Sequence, residues 1–289
     1  MVNTFADPTF DAEQYRIHRP RYPARLFKEI LDAHLSSGGQ TGVALDLGCG
    51  PGIATESLVP YFSKVIGVDP SEGMITAATR AATEIKGDLT YKVGAAEAIP
   101  VEDALVDLLT SGSAAVYFAP SWWNEATRVV KPGGTVALFG YSELFLSPRG
   151  IPNGEKAAEA IRSCWNSPEL VSHSQFGGAA GMQIFDRLAL PEQGNGMWGK
   201  AEKQVWNKGG VRGDEDVFMA QKITVAELKA NLKTAGIYHR WREANKDKAD
   251  TIEDPIGRMS AQLKEFSGLS DDSVVEIGWE LVLIRLKRL

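Results

Sequence analysis

The sequence predicts an α/β protein built on a parallel, doubly wound sheet that carries an inserted cap. Short β-prone runs alternate with helical patterns through the first half, and a cluster of glycines stands where the first strand hands over to a helix. After Tyr141 that rhythm breaks, which marks the insertion.

The elements follow in order. Pro23 to Leu35 places Leu26, Ile30 and Leu31 on one helical face, and Ser36, Ser37, Gly38 and Gly39 end the helix. Val43 to Leu47 is a β-prone run that ends in glycines, and a helix is expected from about Ile53 to Phe62. Val65 to Val68 is the next strand and ends at Asp69. A helix near Glu72 to Thr83, strands near Leu89 to Val93 and Val106 to Thr110, a helix around Trp122 to Val130 and a strand at Thr135 to Phe139 continue the alternation. Ser147 to Gly213 is rich in Gly, Pro, Trp and Asn and reads as a cap or substrate region. A helix at about Val225 to Thr234 resumes the pattern, and Val274 to Lys287 is long enough for a terminal strand.

Composition narrows the function. The 289 residues are 44% hydrophobic and 24% charged, enough for a sizeable core without a mark of disorder. A formal net charge of -6 offers no positive field for a nucleic-acid backbone or an anionic lipid surface. Cys49 and Cys164 are too few for a disulfide framework or a cysteine metal site, and the four histidines, His18, His34, His173 and His239, show no metal spacing. Met1 to Phe10 lacks an apolar run of signal-peptide length, and no later stretch nears the roughly 18 apolar residues of a membrane span, so a cytoplasmic protein is expected.

The chemistry begins at Ala44-Leu45-Asp46-Leu47-Gly48-Cys49-Gly50-Pro51-Gly52. Glycines there let the backbone turn tightly and approach a ligand closely. The spacing is G-x-G-x-G, and Ile53 occupies the place where a dinucleotide fingerprint needs its third glycine, which argues against NAD and FAD. Asp69, 17 residues past Gly52, stands about where a carboxylate accepts hydrogen bonds from ribose hydroxyls. Its rival role is to open the Pro70-Ser71 turn and cap the helix that follows.

The runs Asp46 to Gly52, Val68-Asp69-Pro70-Ser71-Glu72-Gly73-Met74, Gly94-Ala95-Ala96-Glu97-Ala98-Ile99-Pro100 and Val130-Lys131-Pro132-Gly133-Gly134 resemble, in order, the signatures of class I S-adenosylmethionine-dependent methyltransferases. Tyr15-Arg16-Ile17-His18-Arg19-Pro20-Arg21-Tyr22-Pro23 and the stretch Thr224 to Trp241 resemble fungal methyltransferases similar to trans-aconitate methyltransferase. Relatives of that kind methylate carboxylates, amines or thiols of secondary metabolites, dithiol toxins among them.

The resemblance implies a Rossmann-like, seven-stranded, mostly parallel sheet with helices on both faces. It also implies four regions: residues 1–40 as lid and entry helix, 41–146 as the cofactor-binding core, 147–213 as the inserted cap, and 214–289 as the remainder of the core. Gly48, Gly50 and Gly52 would hold the methionine part of S-adenosylmethionine, with Asp46 fixing the turn or accepting from the ammonium. Asp69 would meet the ribose, Pro70 and Met74 the adenine side, Ala96 the adenine through its backbone, with Glu97 beside it. Tyr15 and Arg19 would close over the carboxylate end, and Ser113 would complete the cofactor contacts from the crevice rim. Read as plain structure, the same aromatics staple the first helix and Arg19 is solvated.

The family's histidine-bearing aromatic motif after the fourth strand is replaced here by Ala115-Val116-Tyr117-Phe118. The acceptor-side candidates are therefore Tyr117, Phe118 and, in the insertion, His173. Tyr117, Phe118, Trp122, Trp123, Trp165, Trp198 and Trp206 either line an apolar pocket or, the commoner role for such rings, fill the core. The expected activity is methyl transfer to a small molecule; a protein that keeps the cofactor only as a structural prop and a nucleotide-dependent oxidoreductase are the alternatives. A nucleic-acid methyltransferase is disfavoured by the charge and by the lack of a D/N-P-P-Y-like motif.

Overall fold

The computed structural model describes residues 10–174, 183–192, 196–210 and 216–289. In chain order the elements are α1 (Ala12–His18), α2 (Ala24–Ser36), β1 (Val43–Leu47), β2 (Lys64–Asp69), α3 (Glu72–Ala81), β3 (Leu89–Val93), β4 (Val106–Gly112), α4 (Trp122–Val129) and β5 (Val130–Leu146). There follow α5 (Gly154–Trp165), α6 (Pro168–Val171), α7 (Gln183–Asp186), β6 (Glu202–Trp206), β7 (Ala220–Thr224), α8 (Val225–Lys233), α9 (Gly236–Ala244), α10 (Pro255–Ser267) and β8 (Val274–Lys287).

The sheet runs β3-β2-β1-β4-β5-β8-β6, with β7 also paired to β8. The first five strands of that order are mutually parallel and β8 is antiparallel to β5. Eight strands stand where the resemblance implies seven, because two short strands share one flank of a long one. β6 pairs with Leu281 to Arg285 of β8, whereas β7 pairs with Val274 to Gly278.

Strand alternation sends successive side chains to opposite faces, and each face has its own core. Ala44, Leu108, Ala137, Leu281 and Leu283 pack with α2 residues Leu26, Phe27 and Ile30 and with the helices of the second half. Leu45, Leu109, Val136, Leu138, Val282 and Ile284 pack with Trp122, Trp123, Ala126 and Val129 of α4. Helices thus cover both sides of a sheet whose central strands are almost wholly buried.

Three expectations change. The helix read from Ile53 to Phe62 is a single 3-10 turn at Thr55–Leu58, since Gly52 has φ +83 at one end and Pro60 cannot extend a helical ladder at the other. The strand read at Thr135 to Phe139 runs from Val130 to Leu146, because β8 gives it a partner from Thr135 to Leu146. Two helices, α9 and α10, lie where no periodic stretch was singled out. α10 is bounded by Asp254, whose side chain accepts from Ile256 N, by Pro255 in its first turn and by Gly268 at φ +69. Among the described residues no helix is long and apolar enough to cross a membrane.

Candidate functional site

The carboxyl ends of β1, β2 and β4 meet in one crevice, the place where a doubly wound sheet binds ligands. Asp46, 1% exposed, ends β1 there. Thr55 Oγ1 and Thr110 Oγ1 donate to its two carboxylate oxygens at 2.7 and 2.8 Å. Burial lifts its pKa to about 6 against the pull of those two hydroxyls. Its carboxylate therefore ties the turn after β1 both to β4 and to the first residue of the 3-10 turn.

Gly48 and Cys49 donate their backbone N–H groups to Val68 O, and Gly50 N donates to Asp69 Oδ2 at 2.9 Å. Gly48 has φ +71, and a Cβ on it would stand 2.3 Å from that of Ala114. Gly50 has φ +52 with open space where a Cβ would be. Gly52 lies behind the turn against Tyr91.

Asp69 takes up part of one role considered for it, opening the Pro70-Ser71 turn. Its Oδ1 accepts from Ser71 N at 2.9 Å, but the cap of α3 is Ser71, whose side chain accepts from Met74 N. Each carboxylate oxygen of Asp69 accepts one backbone N–H and keeps capacity for another donor. Burial raises its pKa while the Ser71 and Gly50 N–H groups pull it back.

A cavity follows, lined by Tyr15, Arg19, Gly48, Gly50, Asp69, Pro70, Met74, Gly112, Ser113, Ala114, Tyr117 and Phe118. A smaller recess shares Tyr15, Arg19, Gly48, Gly50, Gly112 and Ser113 with it and adds Asp46, Tyr22 and Tyr141. Ser113 has φ +57, rare for a residue with a side chain. Its N–H donates to Phe139 O, and its hydroxyl lies 2.8 Å from Tyr22 Oη. Tyr22 in turn packs edge-on against Phe139 with ring centres 4.8 Å apart.

Arg19 stands over this cavity. Its guanidinium carbon is 5.1 Å from the Tyr15 ring centre and 5.2 Å from that of Tyr141. Its Nη1 reaches Thr234 Oγ1 at 3.4 Å, while its Nε is buried without a hydrogen-bond partner. Arg19 is thus enclosed among aromatic rings with a donor to spare. Arg16, which the sequence did not single out, fastens α1 to the turn: Nη1 donates to Pro51 O at 2.7 Å and Nη2 to Glu56 Oε1 at 2.6 Å.

Other sequence candidates fall elsewhere. Ala96 is buried in the core of the α4 face, and Glu97 Oε1 accepts from Ala119 N at 2.8 Å. Neither is among the residues lining the cavity. His173 Nδ1 lies 2.9 Å from Glu169 O, so its ring serves the end of α6, and its backbone carbonyl accepts from Arg240 Nε at 2.7 Å. Trp122, Trp123 and Trp198 are core, and Trp206 stacks on Phe218 with ring centres 4.2 Å apart. Trp165 alone of these tryptophans lines a second cavity, whose wall combines Tyr117, Tyr141, Phe185 and Trp279 with the aliphatic Val116, Leu144, Leu232 and Ile237 and the polar Arg19, Ser113, Ser142, Asn231 and Arg240.

Three features suit an adenosyl sulfonium with its amino-acid tail: a glycine cradle open at Gly50, an acidic residue with spare acceptor capacity at the end of β2, and a buried donor without an acceptor at Arg19. Fold and site together define the S-adenosylmethionine-binding class of Rossmann-like proteins.

Comparison with known proteins points to methyltransferases. Residues 45–138 match the family described as methyltransferase domain. A Dictyostelium discoideum methyltransferase is 34% identical over 131 residues, 45% of this chain and 47% of that one, so the match spans about half that relative's length. A Saccharomyces cerevisiae protein named as an S-adenosylmethionine-dependent methyltransferase is 24% identical over 96% of this chain and 95% of its own. The solved structure of a type II methyltransferase from Anaeromyxobacter dehalogenans shares the fold, with a TM-score of 0.67 at 22% identity over 93% of this chain and 97% of that one. Residues 45–138 thus match a methyltransferase domain, and the chain as a whole is similar to class I S-adenosylmethionine-dependent methyltransferases, proteins whose cofactor is S-adenosylmethionine.

Proposed function

We propose that the protein methylates a small molecule, a thiol, carboxylate or amine of the secondary-metabolite kind. One observation carries this reading: the cofactor cavity and the aromatic cavity share Arg19, Ser113 and Tyr117, so a donor and an acceptor would meet at one wall. Bound S-adenosylmethionine supplies an electrophilic methyl group on a sulfonium. The chain's own contribution is alignment, an effect that reaches about 7 to 11 kcal/mol in well-oriented reactions. Gly48 and Gly50 with Asp69 fix the donor side, and Tyr141, Trp165 and Trp279 wall the acceptor side with apolar surface. Residues of the 147–213 stretch, Trp165, Ser174 and Phe185, reach that wall, which supports a cap that selects the acceptor. Both cysteines are free thiols, which supports a reducing compartment such as the cytoplasm, and the net charge of -6 argues against a nucleic-acid or anionic-membrane partner.

The test is mass spectrometry of candidate thiols, amines and carboxylic acids incubated with protein and methyl-labelled S-adenosylmethionine. Labelled product from at least one class is expected. Tight binding of S-adenosylhomocysteine with no labelled product from any class would favour the alternative in which the cofactor is a structural prop.

A further inference from the structure

Arg19 and Arg240 line the same acceptor cavity, from opposite ends of the chain's fold. Arg19 follows α1, and Arg240 lies on α9, held by its bond to the His173 carbonyl. Tyr117 also lines that cavity, together with Tyr141 and Ser142. The other polar groups around Arg19 are the phenols of Tyr15, Tyr22, Tyr117 and Tyr141 and the neutral Thr234 hydroxyl, with Ser113 and Asn231 in the same lining. Carboxylates stand behind the wall and are already engaged. Glu280 accepts from Ser142 Oγ at 3.0 Å and from Gly209 N, and Asp46 accepts from Thr55 and Thr110. Among the described residues the cavity lining contains two guanidiniums and no acidic side chain.

We infer that Arg19 and Arg240 hold the methyl acceptor as its anion, and that the natural acceptor is a flat, weakly acidic thiol or phenol. The inference rests on the methyltransferase reading above and gives it a substrate class. Positive charge in a desolvated site favours the ionised form of a bound acid, and the aromatic walls favour a ring. On binding, the acceptor's proton leaves to solvent. The acceptor's lone pair then forms the bond to the methyl carbon as the carbon–sulfur bond breaks, and that bond's electron pair neutralises the sulfonium. No side-chain base takes part, in keeping with the histidine-free run Ala115-Val116-Tyr117-Phe118 after the fourth strand. Arg19, at the wall common to both cavities, serves the donor's carboxylate end as well; Arg240 lines only the acceptor side.

The probe is 4-nitrothiophenol, a coloured weak acid, titrated by absorbance across pH on protein saturated with S-adenosylhomocysteine. Its ionisation midpoint is expected to fall by at least one pH unit on binding, a tenfold change in ionisation constant. Arg240→Gln should at least halve that shift and leave S-adenosylhomocysteine affinity within twofold by tryptophan fluorescence. Arg19→Gln should reduce both, and Arg19→Lys should restore the shift. A probe that fails to bind, binds in its neutral form, or keeps its shift in Arg240→Gln overturns the inference and leaves the methyltransferase reading intact. Absence of S-adenosylhomocysteine binding by the unaltered protein overturns both.

Discussion

Arg16 Nη2 lies 2.6 Å from Glu56 Oε1, and through this pair the first helix is latched to the segment that follows the glycine turn. Both side chains are 17% exposed, and the same guanidinium donates to Pro51 O. A partly shielded, charge-assisted pair with a second hydrogen bond is stronger than an open surface bridge. Tyr15 and Arg19 lie on and just beyond this helix, so the latch holds them over the cavity. Arg16→Ala should weaken S-adenosylhomocysteine binding about tenfold, equivalent to about 1.4 kcal/mol. Fluorescence titration measures it, and the global unfolding midpoint should change little because α1 has no buried residue.

Asp69 carries two backbone hydrogen bonds as well as the proposed ribose contact. Asp69→Ala would leave the N–H groups of Gly50 and Ser71 without their acceptor, at a cost of about 1 to 3 kcal/mol for each group that stays buried. Affinity for S-adenosylhomocysteine should fall at least about a hundredfold, or roughly 2.7 kcal/mol. Asp69→Asn keeps an oxygen for one of the two N–H groups and should lose less of the folding stability. Calorimetry for binding and urea unfolding for stability separate the two effects.

Trp165 lines the proposed acceptor cavity and is absent from the lining of the proposed cofactor cavity. Trp165→Ala should therefore raise the acceptor KM about tenfold or more, with S-adenosylhomocysteine affinity unchanged. Equal loss of both affinities would place Trp165 in the shared scaffold instead. The measurement is steady-state kinetics on whichever acceptor yields labelled product.

The legible parts of this fold are those whose physics is local. Val43 to Leu47 and Val274 to Lys287 were readable to the residue because an apolar run bounded by turn residues is a strand signal in itself. The glycine turn and the turn opened by Asp69 were readable because turn chemistry is written in neighbouring residues, although the cap given to Asp69 belongs to Ser71. What the sequence hid is non-local. Arg16 finds Pro51 and Glu56 across 35 and 40 residues, and Arg240 finds His173 across 67. Glu97 looked like an adenine contact by position, yet it bonds to Ala119 N, 22 residues on. The extension of β5 to Leu146 likewise depends on a partner strand from the far end of the chain.

Asp46 makes folding stability depend on pH in a direction opposite to that of an ordinary salt-bridged carboxylate. Burial raises its folded pKa to about 6, above the unfolded value near 3.9. Between those pH values the folded state binds more protons than the unfolded one, so stability falls as pH rises through the interval. The contribution is fully present below about pH 4 and lost above about pH 6. A shift of about two units corresponds to roughly 3 kcal/mol. Asp46→Asn cannot ionise and should lack this dependence, while the Thr55 and Thr110 hydroxyls keep an oxygen to bond and can rotate to accept from the amide. Urea unfolding of both proteins from pH 4 to pH 7 should show the native protein losing stability relative to the variant over the first two units and running parallel to it beyond. A difference that stays flat across the range would mean that Thr55 and Thr110 hold the carboxylate ionised throughout, with desolvation outweighed by the two hydroxyl bonds.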